Sequence, residues 1–156
     1  MIETNTLIET LNLGIKKNKS DAVCFKIPVG ASVALITTKN KYAAAPVLLS
    51  RENIKKKTPR YLLVNSGNAN ACTGKKGAEN AKECILYISK KLNCKKEEVL
   101  LFSTGIIGQQ LPIKKISTSI NSHDFKFKSS WKSAAKSIMT TDKFHKYINK
   151  NIVIKG

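Results

Sequence analysis

Asn65-Ser66-Gly67-Asn68-Ala69-Asn70-Ala71-Cys72-Thr73-Gly74 follows the apolar run Tyr61-Leu62-Leu63-Val64 and leads into a helical pattern. The apolar run reads as a buried strand, so the ten-residue stretch is a strand-to-helix connection, the basic unit of an α/β fold. Three asparagines, two glycines, a serine and a threonine are far more turn chemistry than a simple connection needs. Two readings stay open. One is an ordinary surface loop. The other is a loop whose backbone approaches a ligand or another chain closely, with hydrogen-bonding groups arrayed around it.

Working outward, short runs rich in β-branched or large apolar residues predict strands over Val33 to Thr37, Tyr61 to Val64, Val99 to Phe102 and Asn151 to Ile154. Gly77 to Leu92 places Ala81, Ile85, Ile88 and Leu92 on one helical face. Leu111-Pro112 opens a second helix, with Ile113, Ile116 and Ile120 on its inner side, because proline suits a first turn. Trp131, Ala134, Ala135 and Ile138 form a third such face. Strands interleaved with helices predict an α/β sandwich, and 156 residues fit one domain, 1–156, with a moderate core.

Composition narrows the class. Hydrophobic content of 42% and a mean hydropathy of −0.21 describe a soluble globular protein. No apolar run approaches the roughly 18 residues of a membrane span, and residues 1–20 lack a signal-peptide core, which leaves the cytoplasm as the expected compartment. Cys24, Cys72, Cys84 and Cys94 have neither CxxC spacing nor paired metal spacing, so free thiols are expected. His123 and His145 read as surface residues, with no metal site.

A net charge of +18 would ordinarily point to nucleic acid or an anionic membrane. Of 28 basic residues, however, only Arg51 and Arg60 are arginines, the type that base readout and bidentate phosphate contacts favour. The lysines also run along the whole chain rather than in one stripe. The densest run, Lys55-Lys56-Lys57, reads as a solvated turn before a strand. The expectation is therefore no nucleic-acid partner and no membrane, with a basic nucleic-acid- or protein-binding module as the alternative.

The opening stretch resembles the NSGNANACTG signature of the ornithine acetyltransferase (glutamate N-acetyltransferase) family. Gly14-Ile15-Lys16 with Lys19-Ser20-Asp21-Ala22 is similar to that family's opening strand and turn. Ala43-Ala44-Ala45-Pro46-Val47 resembles its KAAPV segment. Ser103-Thr104-Gly105-Ile106-Ile107-Gly108 with Leu111-Pro112 resembles STGxIGxxLP, and Ala134-Ala135 through Phe144 resembles AAxxIMTTDTF. The matches keep their order from near the start to residue 144. The resemblance implies layered sheets covered by helices, completed by a second chain, in an α2β2 assembly.

The implied chemistry is acetyl transfer from N2-acetylornithine to glutamate in arginine synthesis. Ser103-Thr104-Gly105 is expected to end the preceding strand, where freed donors can stabilise the oxyanion of acyl transfer; a plain strand-terminating turn is the other reading. By resemblance, the Thr104 hydroxyl and the Gly105 N–H form the oxyanion hole. A threonine of the Thr140-Thr141 pair contacts the amino-acid substrate, with Thr140 preferred. No cofactor is implied, although some family members also take acetyl-CoA as a donor substrate. The family's nucleophile is a threonine freed by self-cleavage at the start of the β chain, its own α-amino group acting as base.

This sequence contains neither that threonine segment nor the AKGSGM-like segment before it. Counted from Thr140-Thr141-Asp142, Asn151 to Gly156 falls on the first strand and turn of the preceding hairpin, so Lys155 is read as a turn lysine and not a site. The expectation is an α-chain portion that ends inside a hairpin and is inactive alone. A small hydrolase using Cys72 or Ser103 is a further alternative, although no histidine is near Cys72 in sequence.

Overall fold

The computed structural model describes residues 6–153, so Ile154, Lys155 and Gly156 of the expected last strand and turn lie outside the described residues. Four strands, β1 (Leu7–Leu11), β2 (Ala22–Lys26), β3 (Tyr61–Asn68) and β4 (Val99–Ile106), form one sheet in the order β1-β2-β3-β4. The β1–β2 and β2–β3 pairs are antiparallel, whereas β3 and β4 are parallel. A parallel pair needs a long crossover, and helix α2 (Gly74–Lys91) supplies it.

Strand alternation sorts the side chains onto two faces. Ala22, Cys24, Tyr61, Leu63, Val99 and Leu101 enter the main core, where α2 contributes Ala81, Cys84, Ile85 and Ile88. Helices α1 (Ala45–Lys56) and α3 (Ile113–Ser122) lie on this same face, α3 through Ile116 and Ile120. Each fully buried leucine or isoleucine here contributes about 1.5–3 kcal/mol. On the other face Ile8, Val23 and partly buried Phe25 and Val64 meet Ala134 of the short helix α4 (Trp131–Ser137). The result is a helix–sheet–helix layering, an α/β fold as expected. The second face is thinly covered, and the hollow beside Thr104 lies there.

Several expectations are corrected. Residues 33–37 pair with no strand among the described residues; Val33, Leu35 and Thr37 are half-buried and Ala34 and Ile36 exposed. Strand propensity is realised only against a neighbour, and none lies beside this segment. The first strand is Leu7–Leu11, and Gly14 to Lys16 form a bend after it. Strands β3 and β4 both run longer than expected, to Asn68 and Ile106. Lys55 and Lys56 close α1 and are not a turn. The α1 helix carries no apolar stripe because its buried face is Pro46, Ser50 and Asn53. Asn151 to Val153 join no ladder and are exposed.

Candidate active site

Residues 65–74 turn their polar side chains inward. Asn65, Asn68 and Asn70 are all buried. Asn65 Nδ2 donates to Asn68 O at 2.8 Å, and Asn68 Nδ2 donates to Gln109 O and Gln110 O at 3.1 and 3.3 Å. Asn70 Nδ2 donates to Gly77 O at 2.9 Å, while Asn70 Oδ1 accepts from the Thr73 hydroxyl at 2.8 Å. A Cβ at position 77 would fall 1.8 Å from Thr73 Oγ1, so only glycine lets α2 start against this loop. Gln110 Nε2 donates to Thr73 O, and its Oε1 accepts from Asn80. The stretch is a buried polar brace joining β3, α2 and the 106–110 loop. Its amides are held by the protein itself, so it is neither a plain surface loop nor an open array of donors.

The brace fixes the far ends of β3 and β4. Thr104 and Gly105 do not follow the end of β4, as expected; they lie within it, paired in register with Ser66 and Gly67. Gly105 has φ +132°, and a Cβ there would sit 2.4 Å from the Gly67 carbonyl carbon. The two backbones meet too closely for any side chain. Because β4 is the edge strand, alternate N–H groups point away from β3. Leu101 N and O bond the Ser50 hydroxyl, each at 2.8 Å, and Val99 O accepts from Asn53 at 2.9 Å. Ile106 O instead accepts from Ala69 N on the β3 side. By that alternation the Gly105 N–H points to the outer edge of the sheet.

The Thr104 side chain takes the thinly covered face. It lines a hollow of about 400 Å³ with Val64, Phe102, Ala135, Ile138, Met139 and Asp142. The STG and MTTD motifs, 34 or more residues apart in sequence, therefore border one cavity. Thr140 and Thr141, in the bend between Met139 and Asp142, are exposed and do not themselves line the hollow. Asp142 Oδ1 accepts from Lys146 Nζ at 2.7 Å, and the hydrogen bond and charge of that lysine hold the carboxyl below its usual range.

Other candidates separate from this cavity. Cys72 is exposed and lines a different hollow, of about 410 Å³, with Tyr42, Ala44, Leu48 and Ala78. No histidine lines either hollow; His123 Nε2 lies 2.9 Å from Glu9 Oε1. Ser103 is at the Thr104 hollow, but its hydroxyl donates to buried Asn65 Oδ1 at 2.5 Å. Asn65 accepts that bond and bonds Asn68 in turn, so nothing there acts as a base. No helix among the described residues is long and apolar enough to cross a membrane.

One functional group escaped the sequence reading. Asp21, fully buried, accepts from the backbone N–H groups of Leu13, Ile15 and Lys16 at 2.6, 2.7 and 2.9 Å, folding the 13–16 bend over the end of β3. An acidic residue entering an apolar strand was the available signal, since a buried carboxylate requires donors.

Thr104 of edge strand β4 thus stands on the wall of a hollow that Met139, Asp142 and Lys146 also line, with Gly105 next to it in the strand and outside that lining. The family described as the ArgJ family matches residues 7–156, and the chain belongs to it. It is 44% identical over 151 residues to the mitochondrial arginine biosynthesis bifunctional protein ArgJ of Dictyostelium discoideum, covering 94% of this chain and 34% of that protein. With ArgJ of Caldanaerobacter subterraneus the identity is 38% over 144 residues, 92% of this chain and 36% of the relative. The chain thus spans about a third of these relatives' length.

Two crystal structures resemble the fold. ArgJ from Bacillus halodurans superposes with a TM-score of 0.80 at 31% identity, over 89% of this chain and 74% of that one. Ornithine acetyltransferase from Mycobacterium tuberculosis, in complex with ornithine, gives 0.83 at 27% identity, over 92% and 79%.

Proposed function

We propose that this chain is the N-terminal, α-chain part of an acetyltransferase that moves acetyl from N2-acetylornithine to glutamate in arginine synthesis, in the cytoplasm. The observation that carries the reading is the single cavity bordered by Thr104 and by the Met139–Asp142 bend. The ornithine named with the Mycobacterium tuberculosis enzyme supports an amino-acid substrate here.

In this reading the Thr104 hydroxyl and Gly105 N–H face the carbonyl oxygen of the acetyl group. A threonine at the start of a β chain attacks that carbon through its hydroxyl, and its α-amino group takes the proton. Negative charge collects on the oxygen between the two α-chain donors, which are worth most where water is excluded. The carbon–nitrogen bond then breaks, ornithine leaves with the proton, and the acetyl ester on threonine is taken by the glutamate amine. Thr140, with Thr141 second, contacts the amino-acid part. Acetyl-CoA is a second donor such a site accepts as substrate, and the scheme uses no bound cofactor.

The partner is the β chain, in an α2β2 assembly. This chain spans 34% of the Dictyostelium relative but 74% and 79% of the two solved chains, so those solved chains fall well short of a full relative. Val29, Ile36, Tyr42, Phe144, Ile148 and Val153 are exposed apolar side chains on the segments preceding α1 and following α4. Such side chains on backbone outside any helix or strand suit a protein partner.

The test is acetyl transfer measured on residues 1–156 alone and on the complete protein carrying this region. Turnover of N2-acetylornithine and glutamate is expected only from the complete protein, and there Thr140→Ala raises KM with kcat little changed. Turnover by residues 1–156 alone overturns the reading.

A further inference from the structure

Lys16 bonds Met139, a residue of the cavity wall, without lining the cavity itself. Its backbone is fixed by Asp21, within the 13–16 bend. From there the side chain crosses Gly67, where an added Cβ would fall 2.9 Å from Lys16 Cγ. Gly67 is the register partner of Gly105. The ammonium then donates to Ser137 O at 3.2 Å and to Met139 O at 3.0 Å. Ser137 closes α4, and Met139 lines the cavity and precedes Thr140.

The α4 helix has little else to fix its end. It has seven residues, of which only Ala134 and Ser137 are buried. Polar ties replace apolar packing: Ser66 Oγ donates to Ser137 O at 2.6 Å, and the Ser20 and Ser137 hydroxyls lie 2.8 Å apart. Of these ties, only Lys16 reaches past α4 into the bend. Its ammonium forms no salt bridge among the described residues. A cation at a helix C-terminus meets the negative end of the backbone dipoles, which suits two carbonyl acceptors. Burial lowers the Lys16 pKa, the nearby Asp21 carboxylate opposes this, and Lys19 adds to the lowering.

We propose that Lys16 is a positioning residue for the amino-acid side of the site: by holding the Ser137 and Met139 carbonyls it sets the 138–142 bend against Thr104. The proposal rests on the acyl-transfer reading of the cavity. It assigns to the opening segment a role in substrate affinity, although no atom of that segment borders the cavity.

The test uses the complete protein with Lys16→Met, which keeps the stem over Gly67 and removes the donors, and Lys16→Arg, which restores donors. Lys16→Met is expected to raise KM for N2-acetylornithine about tenfold while kcat stays within about threefold, and Lys16→Arg to recover most of the loss. Hydrogen exchange at the Ile138 and Met139 amides, which bond Ala134 O and Lys136 O, should quicken in Lys16→Met, with β3 and β4 amides unchanged. An unchanged KM, or a uniform loss of protection that Lys16→Arg does not reverse, overturns the proposal. Failure of the acyl-transfer reading would show separately, as absence of turnover in the unsubstituted protein, and the exchange pattern would still decide what Lys16 holds.

Discussion

Two polar stretches of this chain, 65–74 and 139–142, use similar side chains in opposite ways. In the first, Asn65, Asn68 and Asn70 are buried, and their amides bond backbone and neighbouring side chains. In the second, Thr140 and Thr141 are exposed, between Met139 and Asp142 on the wall of a cavity. The more conspicuous motif is the brace, and the quieter one borders the cavity. A dense run of asparagine and glycine therefore marks a place where backbone needs many bonds. Whether those bonds go to a ligand or to the protein is decided by burial.

The contrast can be broken from either side, and the largest effect is expected where backbones meet. Gly105→Ala places a methyl within 2.4 Å of the Gly67 backbone, so the complete protein should lose more than about 4 kcal/mol of stability or fail to fold. Normal yield and an unchanged denaturation midpoint would refute the close packing. Asn70→Ala comes next: it strands the Thr73 hydroxyl and removes the amide tie to the Gly77 carbonyl, and should cost roughly 1–3 kcal/mol in chemical denaturation. Its kcat should change less than its stability, as befits a brace.

The mildest probe is thiol alkylation of the folded chain near pH 8. Cys72 is exposed and should label first. Burial pushes the Cys84 thiol up to about 12 and the Cys94 thiol up to about 11, and it raises Cys24 as well. A raised thiol pKa leaves less thiolate at pH 8, so these three should label slowly, with rates climbing only as pH approaches those values. Equal labelling of Cys84 and Cys72 would contradict the packing around α2.

The α/β class was legible because Leu63, Leu101, Ile85 and Ile88 sit on strand and helix periods that sequence displays directly. The α1 helix was not, since the side chains it buries include Ser50, whose hydroxyl takes the place of a neighbouring strand for Leu101. The 33–37 segment misled for the converse reason: its residues suit a strand, but pairing is a property of a neighbour. Within the candidate site, Thr104 and Gly105 are legible through motif resemblance, whereas the sequence ends their strand too early. Only the structure shows that β4 continues through them to Ile106. The parts that Lys16 and Asp21 play are not legible in the sequence, because a bend folded by one buried carboxylate has no periodic pattern to read.

The central claim is that the Thr104 hydroxyl acts on the reacting group while the brace beside it only holds the fold. Steady-state kinetics of Thr104→Val and Thr104→Ser in the complete protein test it most directly. Valine keeps the shape and removes the hydroxyl, so kcat should fall by roughly 10²–10³ with the thermal midpoint little moved. Serine restores the donor and should return most of the lost rate. A Thr104→Val enzyme with unimpaired kcat would contradict the account.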